Sequence, residues 1–502
     1  MVMFPIDAAV ILECTNINSA VKTRAGIIRP LAPFALHNVL QQRNIPATVF
    51  NYVDFWQTDE LLASVSSWLE KHRPNRPAIL CSTLFNDSLL TKNTKVNKII
   101  VALKQTYPDL QVIIGGPINL IDYDLDNIVP DAVFQGRSLH LFEKWLDDED
   151  VGGAVTVTQG VPLYHDPSSK IIERPIVPTL YDDYCLCPED VLQFEVRLGC
   201  KFNCAFCTFE FRNAKKVEDT TSEELVEFFT SASRYGITRF SCVDDTFNED
   251  DDKIKTLHDA VSQLSFKPKI VGYNRFDIMM ARPHQVDLLD ECGFIGHYFG
   301  IETLHRDASK LIRKGIWREP AFDFLREVRR KYPHWHICSG YIVGIPLEPV
   351  EHITETMQEI RNEQLLDAVI PVDLGIYRVP GNEHNFSDFG KNPEKFGLTI
   401  LGGNPMNLDW THKHMNKKLA TVLARKLASQ NIKEKVTTLD PWEAISRDAL
   451  GSDDMFSIEK LYKTRVAENP SELYSDKWNV LGNEFIAQYI LRKQNYILSL
   501  TV

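Results

Sequence analysis

No apolar stretch in this chain reaches the roughly 18 residues that a membrane-crossing helix needs. No basic segment followed by a short apolar core opens it, so no secretory leader is expected. Positive charge is also in short supply: 55 Lys and Arg stand against 68 Asp and Glu, a formal charge of −13. Nucleic-acid binding wants a clustered basic face, so that balance argues against it as the main role, although a local basic groove stays open. The ten cysteines lack the even spacing of a disulfide framework, which points to a reducing, cytoplasmic setting. None of them lies beyond Cys338, so no cysteine-rich metal module is expected in the C-terminal third. At 502 residues and 44% apolar content, two or three ordinary domains are expected.

Against that background, the stretch Arg197-Leu-Gly-Cys200-Lys-Phe-Asn-Cys204-Ala-Phe-Cys207 stands out. The apolar run 191–196 reads as a strand, and Gly199 opens the loop that carries the three cysteines. Three thiolates on one short loop can face a single point, as an iron–sulfur cubane requires. They would hold three of its four irons and leave the fourth to a small molecule. Zinc is the rival, but it normally takes a fourth Cys or His, and none lies close by. Three incidental cysteines in a buried loop are the plain alternative. The pattern resembles the Cys-x3-Cys-x-aromatic-Cys signature of the radical S-adenosylmethionine (SAM) superfamily, position by position at Cys200, Cys204, Phe206 and Cys207. The resemblance implies a [4Fe-4S] cluster on those cysteines, SAM at its open iron and a partial TIM-like barrel.

Upstream, segments 8–14, 47–52, 78–82 and 112–114 read as strands, with helical spacing at 31–42, 59–70 and 96–105. Strands alternating with helices predict an α/β domain with an open parallel sheet over 1–150. Ligands in such sheets bind at the carboxyl ends of the strands, where Ser82-Thr83-Leu84 and Gly115-Gly116 fall. This arrangement resembles the Rossmann-like cobalamin-binding domain that precedes the barrel in one large radical SAM class. The resemblance implies that Ser82, Leu84, Gly115 and Gly116 line a nucleotide-tail pocket. Two departures leave cobalamin open. The Asp-x-His-x-x-Gly loop with its cobalt-ligating histidine is missing, and His37 lies on a predicted helix. Gly136-Arg137 stands where the class carries Gly-Glu. A degenerate sheet that docks a substrate or a partner is the other reading. Methylthiotransferases carry three N-terminal cysteines for a second cluster, but only Cys14 and Cys81 occur here. Residues 151–190 read as a linker with a short hairpin, and Cys185 and Cys187 are too few to hold a cluster alone.

Six strand-like runs follow within 191–385, at 192–198, 238–243, 269–273, 296–301, 336–343 and 369–377, with helical segments between. They predict a partial (β/α)6 barrel, whose chemistry belongs at the carboxyl ends of the strands. Asp244 and Asp245 follow the second strand, where carboxylates suit the SAM amino group and equally suit a helix cap. Asn274 and Arg275 follow the third. Arg275 is placed to grip the SAM carboxylate through a bidentate pair, or else to pair with Asp277. Glu302 ends the fourth strand and suits ribose hydroxyls or the amino group. Gly344 follows the fifth, in a Gly-x-Pro element that resembles the family's adenine support. Cys338 and Tyr341 on the fifth strand are the catalytic candidates. A thiol there suits return of a hydrogen atom to a substrate, and a buried structural cysteine is the plain alternative.

Beyond 385 the chain reads as a helical extension, with segments at 412–430 and 478–496 and aromatic anchors at Trp410, Trp442 and Trp478. It is expected to cap the barrel mouth or to bind a peptide. The expected activity is C–H functionalisation by reductive SAM cleavage, with methyl transfer in the cobalamin class as the leading outcome. Maturation of a ribosomally made peptide without cobalamin is the second reading, and a metal-binding scaffold is the third. A small-molecule or peptide substrate and an electron donor such as flavodoxin or ferredoxin are implied.

Overall fold

Two parallel sheets account for most of the strands, and each organises a separate unit. The computed structural model describes residues 5–14, 28–50, 53, 57–83, 95–116, 130–151, 155–158, 160–164, 174–184, 186–209, 218–378, 386–405, 407–434, 436 and 440–450. One unit comprises Met1–Gln193, Ser231–Ile237 and Tyr474–Val502, and the other Phe194–Thr230 and Thr238–Leu473.

The first unit contains β1 (Ala8–Cys14), β2 (Ile28–Arg29), β3 (Ala47–Phe50), β4 (Pro77–Thr83), β5 (Gln111–Gly116), β6 (Ala132–Gln135), β7 (Val155–Thr158) and β8 (Val161–Tyr164). Its sheet runs in the order β3-β1-β4-β5-β6-β8-β7. Apart from β7, which is antiparallel to β8, the neighbours pair in parallel. The order reverses between β1 and β4, the doubly wound arrangement in which ligands bind at the switch point. Val10, Leu12, Ile79, Val112 and Ile114 are buried against Leu61, Val65, Leu69, Val96, Ile99 and Leu103 of the helices Thr58–His72 and Lys95–Thr106. Their three-to-four-residue spacing is what turns those helices onto the sheet. The segment read as a linker with a short hairpin carries that hairpin, β7–β8, which joins this sheet. The unit boundary falls at Gln193, where β9 (Val191–Phe194) leaves the first unit.

In the second unit β10 (Arg239–Cys242), β11 (Lys269–Asn274), β12 (Phe294–Glu302), β13 (His336–Val343) and β14 (Ala368–Asp373) pair in parallel and in chain order. Phe194 at the end of β9 joins them through the Val243 N–H, 3.0 Å from its carbonyl oxygen. That makes six strands at the expected places. Registry sorts their side chains by a period of two. Ile270, Asn274, His297, Phe299 and Ile337 lie on the outer face, where Phe276 and Phe324 of the crossover helices pack. Ser241, Val271, Tyr273, Gly296, Tyr298 and Cys338 share the inner face.

As far as residue 450, the described part of the C-terminal region packs on the floor and the β14 side of the barrel. The helix Pro441–Leu450 lies against the inner face near the beginnings of the strands. Asp448 pairs there with Arg239 at 2.7 Å and with Lys269 at 2.6 Å, the first residues of β10 and β11. Trp442 Nε1 donates to Ser241 Oγ at 2.7 Å. The helix thus closes the floor of the barrel, opposite the end that carries the cysteine loop. A hairpin, β15 (Thr399–Asn404) with β16 (Asn407–Thr411), and the helix Lys417–Lys433 extend the β14 side. Lys417 pairs there with Asp373 at 2.6 Å, and Trp410 Nε1 donates to Leu374 O at 2.8 Å. The helix expected at 478–496 lies outside the described residues.

Candidate active site at the cysteine loop

The loop after β9 is tied down on every side. Gly199, at φ +95°, makes the turn that no side chain tolerates well. Arg197 just before it meets Asp219 at 2.5 Å, Asp250 at 2.6 Å and Glu249 at 3.0 Å. Lys201 N donates to Glu249 Oε2 at 3.2 Å. Asn203 O accepts from Arg313, a left-handed residue that also holds Asp388 at 2.5 Å. Cys200, Cys204 and Cys207 are half-buried on this frame. Cys200 Sγ lies 3.4 Å from Thr246 Oγ1 at the end of β10. Burial pushes the Cys200 thiol up, and the Thr246 hydroxyl works against that shift. Cys204 Sγ accepts from Arg275 Nη1 at 3.1 Å at the end of β11. The loop therefore stands at the carboxyl ends of the strands. Among the described residues no three His, Cys, Asp or Glu side chains are grouped as ligands of one ion. A cubane asks something different, since each thiolate needs to reach only its own iron. The half-buried thiols, with a guanidinium donor already placed at Cys204, fit such a group.

Of the carboxylate pair after β10, Asp244 is an internal strut. Its oxygens accept from Val196 N at 2.8 Å and Arg197 N at 3.0 Å, and Lys253 Nζ lies 2.7 Å away. Both side chains of the Asp244–Lys253 pair are fully buried. Burial works against the Lys253 ammonium, but Asp244 and Glu249 outweigh it and its pKa is raised. With those partners Asp244 has little left for a ligand. Asp245 is more exposed and is the carboxylate of the two that stands toward Tyr273.

Arg275 is likewise committed within the protein. Nε meets Asp277 at 2.8 Å, Nη2 donates to Arg313 O at 2.9 Å, and the guanidinium lies 3.8 Å from the centre of the Phe202 ring. Grip on a SAM carboxylate would mean giving up one of these bonds. Asn274 points to the outer face, where its Nδ2 sits 3.0 Å from His297 Nδ1, and not to the barrel interior. Tyr341 does the same: its hydroxyl donates to the buried Glu348 carboxylate at 2.5 Å. Glu348 also takes Thr303 Oγ1 at 2.9 Å and pairs with His352 at 3.0 Å. Gly344, at φ +106°, lets the Trp410 ring pack against it, since a Cβ there would meet that ring at 2.3 Å.

Glu302 is the group aimed inward. It adopts φ +66°, rare for a residue with a side chain, and the adjacent Thr303 is held by Glu348. Its carboxylate lies over Gly300 and Gly340, where added Cβ atoms would come within 3.1 Å and 3.5 Å of its oxygens. Burial pushes the Glu302 carboxyl up, and Lys314 and Arg275 pull it back. Below it, Tyr273, Tyr298 and Trp442 form an aromatic floor, with Tyr273 and Trp442 rings 4.5 Å apart. Cys338 sits in the same row, opposite Tyr298, and is fully buried. Sequence reading missed this floor. Part of the signal was present as the period of two in Gly296 and Tyr298, and the bulge between Phe299 and Glu302 interrupts it before Glu302.

In the first unit the sheet registry sets Ser82 beside Gly115 at the carboxyl edge. Ser82 is buried and its hydroxyl has no hydrogen-bond partner among the described residues. Gly116 takes φ +123°. Leu84 lies outside the described residues. His37 is buried with its Nε2 3.3 Å from Ala47 O at the start of β3, not at the carboxyl ends of the strands.

The chain spans about half the length of the curated relatives it matches: the tRNA-2-methylthio-N(6)-dimethylallyladenosine synthase of Acinetobacter baumannii (strain AYE) is 22% identical over 281 residues, 52% of this chain and 55% of that protein. Two solved structures share the fold. The radical SAM methyltransferase TsrM of Kitasatospora setae, with tryptophan and a SAM analogue bound, superimposes with TM-score 0.54 at 13% identity, over 79% of each chain. The cobalamin-dependent SAM radical enzyme OxsB superimposes with TM-score 0.52 at 15% identity, over 97% of this chain and 72% of that one. The radical SAM superfamily model matches residues 195–360, which begin just ahead of the cysteine loop and run past Glu302 and Glu348. Over that stretch, about a third of the chain, the protein carries a radical SAM domain.

Proposed function

We propose that this protein functionalises an unactivated C–H bond by reductive cleavage of SAM, with methyl transfer through cobalamin as the leading outcome. The observation that carries it is the meeting of the three-cysteine loop with the ends of parallel strands, beside an inward-aimed Glu302. Cys200, Cys204 and Cys207 would hold the cluster. Once loaded, a [4Fe-4S] cluster with SAM supplies the one-electron cleavage of the sulfonium that no side chain can perform. The chain supplies placement. Glu302 is set to accept from the amino group or ribose hydroxyls, with Lys314 balancing its charge. Gly300 and Gly340, without side chains, leave room on the strands for the Glu302 carboxylate, the Lys314 ammonium and the Tyr298 hydroxyl. Tyr273, Tyr298 and Trp442 line the chamber below with aromatic surface, which suits radical chemistry.

Cobalamin is supported by the reversed strand order of the first sheet and by the buried, unpartnered Ser82 hydroxyl beside Gly115 and Gly116. A nucleotide tail offers the hydrogen-bond acceptors that such a hydroxyl lacks. The partners proposed are a small-molecule or peptide substrate and a low-potential donor such as flavodoxin or ferredoxin, in the cytoplasm. Among the described residues no helix is long and apolar enough to cross a membrane.

The test is anaerobic preparation with cobalamin supplied, followed by metal, corrinoid and SAM-cleavage assays. About four irons, one corrinoid and reductant-dependent loss of SAM are expected. Iron and SAM cleavage without corrinoid would transfer the assignment to the peptide-maturing reading. Absence of both iron and SAM cleavage would end it.

A further inference from the structure

We propose that Arg275 is a positioning residue that sets the reduction potential of the cluster through its hydrogen bond to Cys204, an inference that rests on the cluster-binding role proposed above. Three of its nitrogens have fixed partners. Nη1 donates to Cys204 Sγ at 3.1 Å, Nε to Asp277 at 2.8 and 3.0 Å, and Nη2 to Arg313 O at 2.9 Å. Phe202, from the cysteine loop itself, stacks on the guanidinium at 3.8 Å. Arg275 is 5% exposed, so water screens this contact little. The side chain cannot swing away without breaking two other bonds and a cation–π contact.

The direction of the effect follows from charge. One electron entering the oxidised cluster, from an external reductant, makes the sulfurs of the cluster more negative. A guanidinium N–H held at one thiolate stabilises that reduced state more than the oxidised one, and so raises the potential. Hydrogen bonds to cluster sulfurs and solvent exposure are the protein's ordinary means of setting this quantity. Asp277 counters part of the guanidinium charge, which makes it the second member of the device. Its removal has the opposite sign.

The experiment is potentiometric titration of the anaerobically reconstituted full chain, without SAM, read by the EPR signal of the reduced cluster and normalised to bound iron. R275Q, R275K and D277N are compared with wild type. A more negative midpoint is expected in R275Q and R275K, and a less negative one in D277N. Mere loss of structure would lower cluster loading without moving the midpoints in opposite directions. Should R275Q fail to retain a cluster, R275K carries the comparison, since it keeps the charge and loses the fork. A wild-type midpoint in whichever variant is read overturns the proposal. That failure is distinct from failure of the cluster assignment itself, in which wild type would bind no four-iron cluster at all.

Discussion

Glu302 and the three cysteines do different work, and substitution separates them. C204A is expected to abolish reductant-dependent SAM cleavage, because two thiolates do not hold the cluster. C185A is expected to leave it near the wild-type rate. SAM consumption by chromatography checks both, and wild-type turnover in C204A would remove the cysteine loop from the chemistry. E302Q keeps the shape of the side chain but loses the charge. A hydrogen bond to a charged group contributes about 1.5–3 kcal/mol, so SAM affinity should fall about 10- to 100-fold while the cluster absorbance stays. Unchanged affinity would show that Glu302 faces empty space. These residues were readable as types at strand ends. That Asp244 is spent inside the protein was not, because its partners are Lys253 and the backbone of Val196 and Arg197, on separate elements.

At the level of elements, the β10 end is built around one buried ion pair. K253M leaves the Asp244 charge without its cation in a site with no exposure, and breaking such a pair costs about 3–5 kcal/mol. Chemical denaturation should show that loss, and the double variant D244N/K253M should recover part of it. Equal stability of K253M and wild type would mean that the pair does not hold the strand end. The strand β13 was legible to the residue, 336–343, since a buried parallel strand writes itself as an unbroken apolar run. The helix Pro441–Leu450 was legible as an amphipathic segment at most. Its place on the barrel floor depends on Asp448 meeting Arg239 and Lys269, contacts across about two hundred residues that leave no local pattern.

For the whole molecule, acid stability should reflect buried histidine. Burial holds His297 at about 3, well below the ordinary 6.5, and His334 and His336 push the same way. Below pH 6.5 the unfolded chain takes up a proton that the native state refuses. Stability is therefore full above that pH and falls as pH drops toward 3, by up to about 1.4 kcal/mol per unit. His412, held at about 4 chiefly by burial, adds to the same trend. Thermal midpoints between pH 7 and pH 4 should drop less steeply for H297Q than for wild type, and parallel curves would rule His297 out as the source. The two-unit division places its boundary at Gln193 and Phe194, next to the cysteine loop. Within 151–190 only a linker with a short hairpin could be read, because the β7 and β8 strands are too short to show a period.

The amino-acid order alone determined the two sheets, the six-strand succession and the cysteine spacing. Each of these is written in local periodicity or in neighbouring residues. Only the tertiary structure decided which charged side chains are spent inside the protein. Asp244 and Arg275 are occupied, Asn274 and Tyr341 face outward, and Glu302 is turned inward by a left-handed backbone. The physical reason is that a polar group entering a barrel end must find its partner on another strand, and registry between strands is not encoded in any one of them.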